Sequence, residues 1–315
     1  MLAFNSLAEV PGDFGPTAVT VGKFDGVHVG HRSVIERLLA VASERKLVST
    51  VVTFDRHPLS LLAPEKCPPT LVSNAQKLEL LASTGLDATL MLAFDRELSA
   101  LPAAEFVTSI LVETLKASVI LVGGDFRFGS RGAGDVALLR ELGERHGFEV
   151  LVIDDVVPDG ERRVSSTWIR ELLTDGRVVE ATRLLGAPPT IRSTVVHGEA
   201  RGRTLGYPTA NLSPEIGGYV PADGVYAARI TVDGVQYPAA VSIGNNPTFE
   251  GVPDKQVEAH VIDESLDLYD KSVELSFVEY IRGMRKFAGS AELAEQMRSD
   301  ELAIRGILGV PPRSA

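Results

Sequence analysis

Short β-branched runs and helical patterns take turns through the first half of the chain, and the alternation stops at Gly186-Ala187-Pro188-Pro189. Residues 17–21 and 48–54 read as buried strands. Between them Ile35, Leu38, Leu39 and Ala42 recur at the i, i+3, i+4, i+7 spacing of an amphipathic helix. Further strands are expected over 88–94, 119–122 and 150–153, and helices over 75–82, 103–116 and 135–145. Such alternation predicts a parallel, doubly wound α/β sheet. After residue 187 the pattern is β-rich, over 191–196, 225–232, 235–243, 258–262 and 273–281, and ends in a helical stretch over 291–308. Asp233-Gly234 between two alternating runs is a two-residue hairpin signal. The expectation is two domains, 1–186 and 187–315, the second a small antiparallel barrel with a C-terminal helix.

With 315 residues, 44% of them hydrophobic, the chain can bury two cores. Its formal net charge of −11 argues against a nucleic-acid partner, whose footprint is basic. It leaves nucleotides open as substrates, because a local cluster of Arg, His and Mg²⁺ holds a triphosphate on an acidic protein. Cys67 is the sole cysteine, no basic run opens the chain, and no apolar run approaches the roughly 18 residues of a membrane span. A cytoplasmic protein without membrane association is expected; the sequence leaves self-association open.

The segment from Gly22 to His31, Gly-Lys-Phe-Asp-Gly-Val-His-Val-Gly-His, follows the first strand and opens the first helix. His28 and His31 are three apart and share a helical face. A helix N-terminus offers free N–H groups and a positive dipole end, and Gly26 and Gly30 let a phosphate approach the backbone. Two imidazoles there are suited to stabilising charge at a nucleotide's phosphates. Thr53 to Pro58 and Gly123 to Gly129 end two further strands, where an open α/β sheet has its ligand crevice. Arg163 to Arg170 combines hydroxyls with two arginines at a helix start. Ser166 and Thr167 are placed to cap the helix and donate to phosphate, with Arg163 or Arg170 supplying charge.

In the second half, Gly198, Gly202 and Gly206 punctuate a loop that leads into Pro208-Thr209-Ala210-Asn211. Its N–H groups are suited to phosphates, and Thr209 and Asn211 offer hard oxygen ligands for Mg²⁺ on a nucleotide. No P-loop string is present.

These strings resemble two families. The ten residues from Gly22 look like the signature of the H-x-G-H nucleotidyltransferases, in the form found in bacterial FAD synthetases. The later segment, ending in P-T-A-N, is similar to riboflavin kinases, as are Ser242 to Phe249 and Val273 to Arg282. The resemblance implies a Rossmann-like nucleotidyltransferase domain followed by a riboflavin kinase barrel, phosphorylating riboflavin to FMN and adenylylating FMN to FAD with ATP and Mg²⁺. It implies ATP contacts at Gly22, Phe24, Asp25, Gly30, Arg163, Ser166, Thr167 and Arg170, with flavin contacts at His57 and Asp125 in the first domain. Position 125 departs from the family, which often carries Asn there. In the second domain it implies ATP contacts at Gly198, Arg201, Gly206, Thr209 and Asn211, flavin contacts at Asn246, Thr248 and Arg282, and Glu274 as catalytic base. The attached P-T-A-N module disfavours an adenylyltransferase for pantetheine phosphate or nicotinamide mononucleotide. The joint presence of His28, His31 and Glu274 disfavours a non-catalytic flavin-binding regulator.

Overall fold

The computed structural model describes residues 1–154, 157, 162–197, 207–244, 255–264 and 266–311. The chain divides into two compact units, Met1–Ser166 and Thr167–Ala315.

The first unit is built on six parallel strands: β1 (Leu2–Phe4), β2 (Thr17–Val21), β3 (Val48–Phe54), β4 (Ala88–Leu92), β5 (Ala117–Gly123) and β6 (Glu149–Ile153), in the order β1-β4-β3-β2-β5-β6. Its helices are α1 (Val29–Arg45), α2 (Leu59–Leu62), α3 (Asn74–Ala82), α4 (Arg96–Ala100), α5 (Ala103–Glu105) and α6 (Val136–His146). The four central strands β2, β3, β4 and β5 are buried on both sides, as parallel strands under helices are, whereas the edge strands β1 and β6 are partly exposed. Val19 and Val52 point into a cluster with Phe106, Ile110 and Leu139, whereas neighbouring Ala18 and Val51 join Ile35 and Leu38 of α1. The expected amphipathic helix is therefore α1, and Leu38→Ala would cost roughly 2–5 kcal/mol. The expected helix over 103–116 differs in kind, because α5 runs on as a π-helical segment, Phe106–Thr114. It buries Phe106, Val107, Ile110 and Leu111 against the sheet.

The second unit holds a closed antiparallel barrel of β7 (Thr190–Val196), β8 (Ala210–Leu212), β9 (Gly224–Val232), β10 (Val235–Gly244), β11 (Gln256–Val261) and β12 (Ser272–Arg282), in the order β10-β11-β8-β7-β12-β9. Asp233 and Gly234 join β9 to β10 with φ of 50° and 80°, the paired left-handed conformations of a tight hairpin turn. Ile191, Ile230, Val241, Leu275 and Phe277 are fully buried. The terminal helix α9 (Ser290–Leu308) packs Ile304 and Leu308 against Val225, Ala227 and Ile262.

Two helices precede the barrel, α7 (Ser166–Thr174) and α8 (Val178–Leu185). From Thr167 on they belong to the second unit, so the junction expected at 186–189 falls inside it. The Ala222 N–H donates to the Leu173 carbonyl at 2.9 Å, Thr174 and Tyr219 share a 2.7 Å hydroxyl contact, and Gly176 lies against the Tyr280 ring. No helix among the described residues is long and apolar enough to cross a membrane.

Candidate active sites

The first site forms where β2 ends and α1 begins. The chain turns there through left-handed conformations at Phe24, Gly26 and Val27. Buried Asp25 fixes this turn: its Oδ1 accepts the Leu71 N–H at 2.8 Å, and its carbonyl accepts the Ser166 hydroxyl at 3.0 Å. Ser166 thus ties the start of α7 to the loop. Thr53 Oγ1 donates to the Lys23 carbonyl at 3.0 Å, and the Gly22 N–H donates to Val52.

His28 is the N-cap of α1, and its Nδ1 accepts the His31 N–H at 3.3 Å. Nδ1 is therefore unprotonated and Nε2 carries the ring proton, a donor. The two imidazoles stack with centroids 3.7 Å apart and planes 15° apart. Gly30 makes room for this stack, since a Cβ there would come 3.2 Å from the His28 ring. Burial, then the Arg163 charge, lowers the His28 pKa to about 4. Burial and the neighbouring His28, Lys23, Lys77 and Arg163 push His31 well below its ordinary value. His31 Nδ1 is buried with no hydrogen-bond partner among the described residues. At neutral pH the pair is a set of uncharged donors and acceptors, and the positive charge comes from the Lys and Arg side chains around it.

Arg163 donates from Nη1 to Asp125 Oδ2 at 2.7 Å, and this bond holds the Asp125 carboxyl below its usual range. The Asp that departs from the family pattern is thus brought together with an expected phosphate-binding arginine. Lys23 Nζ lies 3.3 Å from His57 Nε2. Thr167 and Arg170 lie on α7 in the second compact unit.

Beside the loop, at the C-terminal ends of the strands, opens a cavity of about 520 Å³. Phe54, Phe94, Phe106, Phe126 and Phe128 wall it, with Lys23, His57 and Arg127 among its polar lining residues. Phe126 and Phe128 stack at 5.4 Å. Sequence reasoning passed over Lys23, Arg127 and these aromatic walls; the Phe-Arg-Phe run at 126–128 was the available signal. It also passed over Lys77, buried on α3, which donates from Nζ to the Phe54 carbonyl at 2.8 Å.

The second site lies on the barrel around Thr209 and Asn211. Asn211 is the middle residue of β8, half-buried between inward Ala210 and Leu212, so it occupies the outer face. Across the ladder stands Glu258 of β11, likewise between buried Val257 and Ala259. A cleft of about 100 Å³ adjoins Thr209, lined also by Pro208, Leu268 and Tyr269. His197, which ends the described chain on β7's side, stacks on Tyr269 at 3.9 Å. Gly198, Arg201, Gly206, Asn246 and Thr248 lie outside the described residues.

Glu274, the expected base, lies on a different strand pair of the same barrel. It sits on β12 opposite Arg192 of β7 and accepts from Arg192 Nε at 2.5 Å. Asn211 pairs instead with Val196, four residues further along β7, which separates the two by roughly 13 Å along the strand direction. Arg282, an expected flavin contact, forks onto buried Asp300 of α9 with bonds of 2.7–3.0 Å, which makes it a clamp between β12 and the last helix. Sequence reasoning did not single out Glu258, whose place opposite Asn211 comes from a strand pairing that spacing does not reveal.

Among the described residues no cluster of three His, Cys, Asp or Glu could hold a metal by itself. Thr209 and Asn211 fit a hard cation that brings nucleotide oxygens to complete its shell.

Comparison with known proteins gives two family matches, FAD synthetase over residues 11–168 and riboflavin kinase over 185–308. The bifunctional riboflavin kinase/FMN adenylyltransferase of Escherichia coli (strain K12) is 38% identical over 293 residues, 93% of each chain. That of Pseudomonas fluorescens is 38% identical over 288 residues, 91% of this chain and 92% of the relative. A solved structure of a Streptococcus pneumoniae protein described as a macrolide-efflux protein superposes with a TM-score of 0.86 at 32% identity, over 96% of this chain and 98% of that one.

Proposed function

The chain belongs to the bifunctional riboflavin kinase/FMN adenylyltransferase family, and on that premise we propose how its residues divide the two reactions. The C-terminal module transfers the γ-phosphoryl of ATP to riboflavin, and the N-terminal module adenylylates the resulting FMN to FAD with release of pyrophosphate.

The adenylyl step needs no base, because a phosphate monoester with a second pKa of about 6 is already mostly dianionic at neutral pH. What it needs is in-line placement against the α-phosphorus and stabilisation of the departing pyrophosphate. The Nε2–H of His28 is a donor for that developing charge, and His31 braces it by stacking and through its backbone N–H. Lys23 and Arg163 supply positive charge, with Ser166, Thr167 and Arg170 as further ATP contacts. The aromatic cavity takes the isoalloxazine ring, with His57 and Arg127 nearby. Arg163 leaves Asp125 for the nucleotide's phosphates.

The kinase step has the opposite problem, since the 5′-hydroxyl of riboflavin is a poor nucleophile and benefits from a base. Glu258, opposite Asn211, is the better-placed carboxylate; Glu274 serves the Arg192 ion pair. Thr209 and Asn211 would hold Mg²⁺, which when bound with ATP neutralises charge on the β- and γ-phosphates. We assign the enzyme to the cytoplasm, on the lone cysteine and the nature of its substrates, with no nucleic-acid partner.

The observation that carries this reading is the seat of the stacked His28–His31 pair at the head of α1, on the loop that lines the aromatic cavity. The test is to supply riboflavin and Mg²⁺-ATP and follow flavins by chromatography. FMN should appear first and FAD after it; riboflavin that stays unchanged while supplied FMN is also unchanged would refute the reading.

A further inference from the structure

His260 on β11 is a buried imidazole, 6% exposed, with a specific pattern of bonding. It lies two residues beyond Glu258, hence on the same side of the strand. Its Nδ1 is 2.8 Å from the carbonyl oxygen of Pro208. A carbonyl only accepts, so Nδ1 carries the proton and Nε2 is left as an acceptor. That Nε2 is buried and has no hydrogen-bond partner among the described residues. The Tyr207 ring packs edge-on against the imidazole, with centroids 5.1 Å apart.

The position of this bond gives it meaning. The β11–β8 ladder pairs Glu258 with Asn211 and Ala259 with Ala210, and it ends there. Thr209 lies just beyond the last ladder pair, so its placement depends on what holds Pro208. The imidazole donor is that hold. A buried acceptor without a partner is unfavourable, so an apolar ring would fill this space better if packing were all that mattered. The feature that only a correctly placed donor supplies is the bond to Pro208.

We propose that His260 is a positioning residue of the kinase reaction: its Nδ1–H fixes the Pro208 carbonyl and thereby presents Thr209 to the metal–nucleotide. This rests on the reading of Thr209 and Asn211 as the metal–nucleotide site. The bond requires a proton on Nδ1. The residue it holds is Thr209, read as a contact of the metal–nucleotide, so the consequence lies in binding Mg²⁺-ATP rather than in turnover.

The experiment is steady-state riboflavin phosphorylation by full-length His260→Asn, His260→Gln and His260→Phe, titrated with Mg²⁺-ATP, with FMN adenylylation measured on the same preparations. The Asn carboxamide N–H can occupy the Nδ1 position, whereas the longer Gln reaches the Nε2 position and Phe offers no donor. Gln and Phe should raise the KM for Mg²⁺-ATP about five- to tenfold, as loss of one neutral hydrogen bond does. Asn should stay close to wild type, and kcat and adenylylation should change little in all three. Should the Phe variant fail to fold, the Asn–Gln contrast carries the test. Equal KM values for Asn and Gln, or a wild-type KM in Phe, would overturn the proposal. Thr209→Ala separates the two levels. If it leaves the KM alone, the site reading fails; if it raises the KM while His260→Gln does not, only the role of His260 fails.

Discussion

Glu258 and Asn211 stand opposite one another in the β11–β8 ladder, both on the barrel's outer face. Glu274 stands opposite Arg192 and is ion-paired with it. On the proposed reading the base is the carboxylate nearer the residues that would hold the metal–nucleotide, which is Glu258. Glu258→Gln should therefore lower the kcat for FMN formation by roughly 10²- to 10⁴-fold, the range for loss of a general base. Glu274→Gln should leave kcat within a few-fold of wild type and lower stability modestly through the lost ion pair. Steady-state kinetics of the two variants decides; the reverse ranking would return the base to β12.

The histidine pair gives the N-terminal module a pH signature. His28 is buried and neutral, with a pKa of about 4 against 6.5 for a free imidazole. As pH falls between those values the unfolded chain takes up a proton that the folded chain refuses, so stability is full above about 6.5 and declines toward 4. The difference corresponds to up to about 3 kcal/mol. Calorimetric unfolding at pH 7 and pH 5 should show this loss in the wild type, and His28→Gln should flatten it. An unchanged slope in the variant would contradict the buried neutral state.

From Thr167 on, the helices α7 and α8 belong to the same compact unit as the barrel. They bury Leu172, Leu173, Val178, Ala181 and Leu184, and they are bonded to the barrel through Leu173 and Thr174. A fragment of residues 167–315 should melt at a higher temperature than one of 187–315, which loses that cover. Equal melting temperatures would show that the helices add nothing to the barrel and would favour the boundary read from sequence.

What the sequence revealed divides along physical lines. The strands β2 and β3, the helix α1 and the Asp233-Gly234 turn were legible because their signals are local: runs, periodicity and a dipeptide with left-handed preference. The histidine pair was legible for the same reason, since its helix cap and stack lie within four residues. Glu258 was not, because its claim depends on which strand lies beside β8, a non-local pairing that alternation cannot encode. The short strand β1 carried too few residues for a pattern. The change of pattern at Pro188-Pro189 is local, whereas α8 packs onto β12 within the second compact unit, a contact between distant residues that composition does not reveal.

The division of labour between the two modules is tested most directly by mixing two disabled full-length variants. His31→Ala should convert riboflavin to FMN and stop there, its adenylylation reduced by at least ~10²-fold, because the His28 ring that carries the transition-state donor loses the ring stacked on it. Glu258→Gln should make FAD from supplied FMN but leave riboflavin unchanged. Mixed in one vessel with riboflavin and Mg²⁺-ATP, the pair should restore FAD formation, followed by chromatography. If His31→Ala loses both activities, if Glu258→Gln still phosphorylates riboflavin, or if the mixture makes no FAD, the assignment of one chemistry to each site is contradicted.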